Sequence, residues 1–211
     1  MPDTAPDSTA TTTAASLATS PREVPFTDRR SRRVVVLAHC ILNQNAKLDR
    51  CAHCPGAVTG VVEALLEHGV GMVQMPCPEM LALGLDRQAA RSDTGRIPTV
   101  AEEDTRIARR MRDTAARQII GRIARDIAQQ IADYRQHGFE VVGVLGINGS
   151  PSCGIEVTWR DDAEQDGYGD LIAELARQLD SAATRLPMRG IRSSNVPDAV
   201  ETIRALLAVT A

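Results

Sequence analysis

The sequence predicts an α/β domain, a Rossmann-like three-layer sandwich around a mainly parallel sheet. Three observations lead there. Continuous apolar runs stand at 34–38 (VVVLA), 70–75 (VGMVQM) and 139–147 (FEVVGVLGI), as in strands buried on both faces. Helix-patterned segments separate these runs, which implies right-handed βαβ units. After residue 30 there is neither a repeat nor a second compositional regime, so one domain is expected over 31–211.

Residues 1–30 are rich in Thr, Ala, Ser and Pro without apolar periodicity, and they read as a disordered tail. Order begins at Arg33, with a strand at 34–38. A helix over 56–68 follows and is stopped by Gly69. The strand at 70–75 ends against Pro76. From 102 to 137, Ile107, Met111, Ala115, Ile119, Ile123, Ile127 and Ile131 recur near every fourth position. That spacing predicts one long amphipathic helix with a break near Gly121, ending at Gly138. The strand at 139–147 is followed by a helix over 168–179, a weaker strand over 187–191 and a closing helix from Asp198 to Val209.

Composition narrows the function. The chain of 211 residues is 43% hydrophobic but only 2% aromatic, so the core is aliphatic. Formal net charge is −3, which gives no basis for nucleic-acid or membrane affinity. No apolar run reaches the roughly 20 residues of a membrane span, and the first residues lack a secretory h-region. Five cysteines, all between Cys40 and Cys153, do not form a secreted disulfide framework. A cytoplasmic setting with free thiols is expected.

The cysteines mark the site. Cys40, Cys77 and Cys153 each follow one of the first three predicted strands within a few residues. In a parallel sheet those ends share one edge, where α/β proteins bind ligands. One such cysteine would read as a small buried hydrophobe; three at equivalent positions read as a site. Pro76 and Pro78 stiffen the Cys77 loop. Amides near Cys153 are expected to face sulfide or an anion. Three thiolates fit a catalytic zinc, or a 4Fe–4S cluster with one iron left open. The pair Cys51 and Cys54 forms a CxxC, a spacing suggestive of redox chemistry or zinc, but it stands alone and follows a polar loop rather than a strand. His39 and His53 read as solvated loop residues, and Arg87, Arg91 and Arg96 as a solvated basic loop. No glycine-rich turn follows the first strand, which argues against dinucleotide binding.

The segments Cys40-Ile41-Leu42-Asn43, Cys77-Pro78-Glu79 and Gly149-Ser150-Pro151-Ser152-Cys153-Gly154 resemble the thiouracil desulfurase family. Gly84-Leu85-Asp86-Arg87 adds weaker support. The resemblance covers about residues 33–154. It implies a 4Fe–4S cluster held by Cys40, Cys77 and Cys153, whose open iron draws sulfur from a thiolated small molecule such as a thiopyrimidine. It also implies catalytic roles for Glu79, as acid or base, and for Ser150, as a hydrogen-bonding group. Ala46 stands where the family often has a second cysteine, and Lys47-Leu48-Asp49-Arg50 replaces a common Arg-Tyr-Asp-Gly segment, as in a divergent branch. The competing expectation is a non-enzymatic iron–sulfur or zinc regulator.

Overall fold

The computed structural model describes residues 27–88, 95–96 and 98–209. Residues 1–26 of the expected tail, and Arg91, lie outside the described residues. Ser31–Ala211 form one compact unit. Its first half runs β1 (Arg33–Ala38), α1 (His39–Leu42), a 3₁₀ turn (Gln44–Ala46), α2 (Thr59–Glu67), β2 (Gly71–Met75), α3 (Pro78–Leu83) and α4 (Val100–Arg110). The rest is α5 (Thr114–Gln136), β3 (Glu140–Ile147), β4 (Val157–Arg160), β5 (Ala163–Asp166), α6 (Asp170–Ser181), β6 (Met188–Ile191) and α7 (Val196–Val209).

The central sheet has the order β2-β1-β3-β6, and every pairing in it is parallel. Val35, Val36, Leu37, Val142, Val144 and Leu145 are at most 1% exposed, so β1 and β3 are covered on both faces. That is why their sequence runs are continuously apolar rather than alternating. Helices α2 and α7 pack on each other, while α5 packs on α3 and α6. The sheet lies between these two layers, as right-handed crossovers from β1 to β2 and from β2 to β3 require. Among the described residues no helix is long and apolar enough to cross a membrane.

Three local features differ from the sequence reading. The long helix does not break near Gly121; it divides at Met111–Asp113, and Gly121 lies inside α5. Met111 is fully buried at the end of α4, so α4 and α5 serve two surfaces and the chain must turn between them. Gly121 is tolerated mid-helix at a cost of about 1 kcal/mol. The short helix α3, which puts Glu79 in a first helical turn after Pro78, adds to the expected elements, and the antiparallel β4–β5 hairpin was unforeseen. Helix α3 is capped by Cys77, whose Sγ accepts from Met80 N at 3.5 Å, a role the residue type does not advertise. The hairpin's residues 163–166 are all exposed, so they carry no apolar alternation to read.

Candidate functional site

All four parallel strands end on one edge, and a cavity of about 330 Å³ opens there. It is lined by residues after β1 (His39, Cys40), after β2 (Cys77, Glu79), after β3 (Asn148 to Pro151, Cys153) and after β6 (Arg192 to Ser194). Cys40, Cys77 and Cys153 therefore share one cavity although they lie far apart in the chain. The other two thiols raise the pKa of Cys153, as does Glu79. Burial is the larger cause at all three: it pushes Cys40 up to about 11, Cys77 up to about 12, and Cys153 well above the ordinary range. Burial thus disfavours the thiolate form at each of the three.

The Cys153 loop is tightly built. Ser150 Oγ accepts from Ser152 N at 3.2 Å and from Cys153 N at 3.0 Å, while Ser150 O accepts from Gly154 N and from Thr158 Oγ1. Gly149 N donates to Val157 O and Ser150 N to Ile147 O. These amides are thus consumed inside the loop rather than aimed at an anion, because a buried turn must pair its own donors. Two glycines make the turn possible. Gly149 has φ +85°, and a Cβ on Gly154 would sit 2.3 Å from Val157 O. Ser150, expected to orient substrate, lines the cavity while its oxygen accepts from two amides of the loop.

Arg87 is not a solvated loop residue; it is 1% exposed. Its Nε donates to Glu79 Oε2 at 3.4 Å, Nη1 to the carbonyls of Gly84 and Leu85, and Nη2 to Ala46 O at 2.7 Å and Cys77 Sγ at 3.6 Å. Glu79 is accordingly ion-paired at the cavity wall, its side chain 15% exposed. Its burial is not legible in the sequence, because a single arginine gives no signal of the carbonyls that will surround it.

His39 opens α1 and lines the cavity. Its Nδ1 meets Gln74 Nε2, and its Nε2 is buried without a partner. Burial first, and the positive charge of Arg87 second, lower its pKa. His53 is exposed at the cavity rim, in keeping with a solvated loop residue. Gln44, 1% exposed, donates to Cys40 O and accepts from His53 N, tying the CxxC loop to α1. That tie brings Cys51 onto the cavity wall, whereas Cys54 turns toward Ser193 O. Asp104 of α4 also lines the cavity and was not foreseen; its only sequence signal is membership of an acidic stretch near a helix start.

Cys40, Cys77 and Cys153 are the residues of this cavity that could hold a metal centre. Three thiols face one space, and N–H groups from Met80 and Arg87 point at Cys77 Sγ, as outer partners of cluster thiolates do. Among the described residues no three His, Cys, Asp or Glu side chains gather around a single ion. A cluster does not require that, because it spreads its thiolates over separate irons.

No family model matches the chain. It is 29% identical over 126 residues to an uncharacterized protein of Methanocaldococcus jannaschii, a span of 60% of this chain and 70% of that relative. Among solved structures it is similar to a 4Fe-4S-dependent thiouracil desulfidase, TudS. That likeness has a TM-score of 0.47 and 18% identity, and covers 84% of this chain and 99% of the other.

Proposed function

We propose that this protein is an iron–sulfur-dependent desulfurase acting on a thiolated small molecule such as a thiopyrimidine. The observation that carries the reading is one cavity lined by thiols from three separate strand ends together with an ion-paired carboxylate, Glu79. Cys40, Cys77 and Cys153 would hold a 4Fe–4S cluster. Bound there, such a cluster would supply a soft Lewis acid for a thiocarbonyl sulfur. The chain's own groups do the rest. Glu79, oriented by Arg87, meets the substrate's ring nitrogen and handles its proton. Ser150 keeps Cys153 in place and turns its hydroxyl hydrogen toward the bound molecule. The cavity lies at the small end for ligand sites, which suits a single ring beside the thiols.

The test is anaerobic reconstitution followed by sulfide release from a panel of thiocarbonyl compounds. Brown protein is expected, with iron and sulfide in near-equal amounts. Cys40→Ser, Cys77→Ser and Cys153→Ser should each lose it while staying folded. Glu79→Gln should keep the cluster and lose roughly 10²–10⁴-fold in sulfide release. Full clusters in all three serine variants would refute the reading.

A second reading rests on Cys51, a fourth thiol on the same wall. Four thiolates would close the cluster. The protein would then be a non-enzymatic iron–sulfur regulator with no open iron.

A further inference from the structure

Three consecutive polar side chains on α4 have different surroundings. Glu103, 7% exposed, is ion-paired to Arg106. Thr105 Oγ1 accepts the indole N–H of Trp159 at 3.0 Å. Asp104, between them, lines the cavity and has neither an ion pair nor a side-chain hydrogen bond among the described residues. The helix that carries it is firmly held. Thr99 and Glu102 form a capping box at its start, Trp159 anchors its middle, and Arg106 Nη1 donates to Arg87 O at 2.5 Å. Asp104 therefore faces the same space as the three thiols from a rigid element, with its carboxyl uncommitted.

Resting on the desulfurase reading, we propose that Asp104 is a second catalytic residue of the site, the base that takes a proton from the attacking water. Glu79, committed to Arg87, serves the ring nitrogen, so two carboxyls hold two roles. The proton balance closes. Water oxygen bonds to the thiocarbonyl carbon as one water proton passes to Asp104. The C–S bond then breaks with its electron pair leaving on sulfur, and Asp104 returns that proton to the sulfur. The second water proton is released as the C=O bond forms. The products are the carbonyl compound, hydrosulfide and one proton, with no oxidant or reductant consumed.

The electrostatics suit that task. Burial is the main cause pushing Asp104 up to about 7, and Glu79 of α3, Glu103 on its own helix and Glu164 of β5 add to it, while Lys47 after the 3₁₀ turn opposes them. Cys51, from the loop before α2, is coupled to the same carboxyl. A base that ionises near neutrality is matched to proton transfer at neutral pH.

The test pairs turnover with direct titration. Asp104→Asn should retain the iron and sulfide of the reconstituted protein, lose roughly 10²–10⁴-fold in sulfide release, and lose the rise of rate with pH through neutrality. Asp104→Glu should recover part of the rate. In the full chain labelled with ¹³C at aspartate carboxyls, one resonance should titrate near neutrality and be absent in Asp104→Asn. An Asp104→Asn enzyme with full turnover and an unchanged pH profile would overturn the role of Asp104 and leave the desulfurase reading standing. Absence of any aspartate titrating near neutrality would also overturn it. A wild-type protein that releases no sulfide from any thiocarbonyl compound would overturn both.

Discussion

Arg87 and Cys77 are joined by an N–H···S hydrogen bond of 3.6 Å, in which a buried guanidinium points at a thiol of the cavity. The same guanidinium donates once to Glu79 and three times to the carbonyls of Ala46, Gly84 and Leu85. All five N–H groups of an arginine are thereby used. One side chain sets the cysteine, the carboxylate and the turn that holds the residues after β1. The arrangement also explains φ +54° at Arg87 itself, a left-handed backbone sustained by these surroundings.

Arg87→Lys should therefore be severe although charge is conserved. A lysine has three donors, so at least two buried acceptors lose their partner, at about 1–3 kcal/mol each. Thermal unfolding should shift down by several degrees, and iron loading after reconstitution should fall with it. Retention of both would show that the network is dispensable.

Gly154→Ala should cost about 1–3 kcal/mol through overpacking, because its Cβ would meet backbone oxygens of Val157 and Ser150 at 2.3 and 2.9 Å. The Cys153 loop must open to admit it, so cluster content should drop as well. Gly56→Ala has nothing within 4 Å of its Cβ and serves as the neutral control. Melting curves and iron assays on the pair decide the matter.

Asp104 links stability to pH. Its folded-state pKa of about 7 exceeds the ordinary aspartate value of about 3.9, so between those pH values the folded protein binds a proton that the unfolded chain does not. Stability at this group is thus fully present at low pH and declines as pH rises from about 4 to 7. Asp104→Asn removes the titration. The variant should melt close to wild type near pH 4 and no lower than wild type at pH 8, with the gap opening in between. Each kcal/mol corresponds to roughly 2–4 °C in a chain of this size. A variant that melts lower at pH 8 would contradict the assignment.

Under the desulfurase proposal, Cys51 would distinguish an open cluster from a closed one. Cys51→Ala with Cys54→Ala should keep iron and sulfide content under the open-iron reading, since neither residue follows a strand directly. Loss of one ligand's worth of cluster stability, seen as faster bleaching by chelator, would favour the closed regulator. Anaerobic absorbance traces on both proteins give the answer.

The sheet and the three strand-end cysteines were legible from sequence because both rest on short-range patterns. Strands buried on two faces read as continuous apolar runs, and a parallel sheet brings its carboxyl ends to one edge whatever the loop lengths. The placement of Cys40, Cys77 and Cys153 on one cavity follows from that topology. What the sequence could not supply is the fate of polar side chains whose partners lie elsewhere in the chain. Arg87 is buried because Ala46, 41 positions away, presents a carbonyl to it. Cys51 reaches the cavity because Gln44 ties its loop to Cys40, and Asp104 lines the same cavity with no hydrogen-bond or ion-pair partner among the described residues, while its neighbours Glu103 and Thr105 pair with Arg106 and Trp159. Burial and charge state at these positions are decided by long-range packing, so only the tertiary structure determined them.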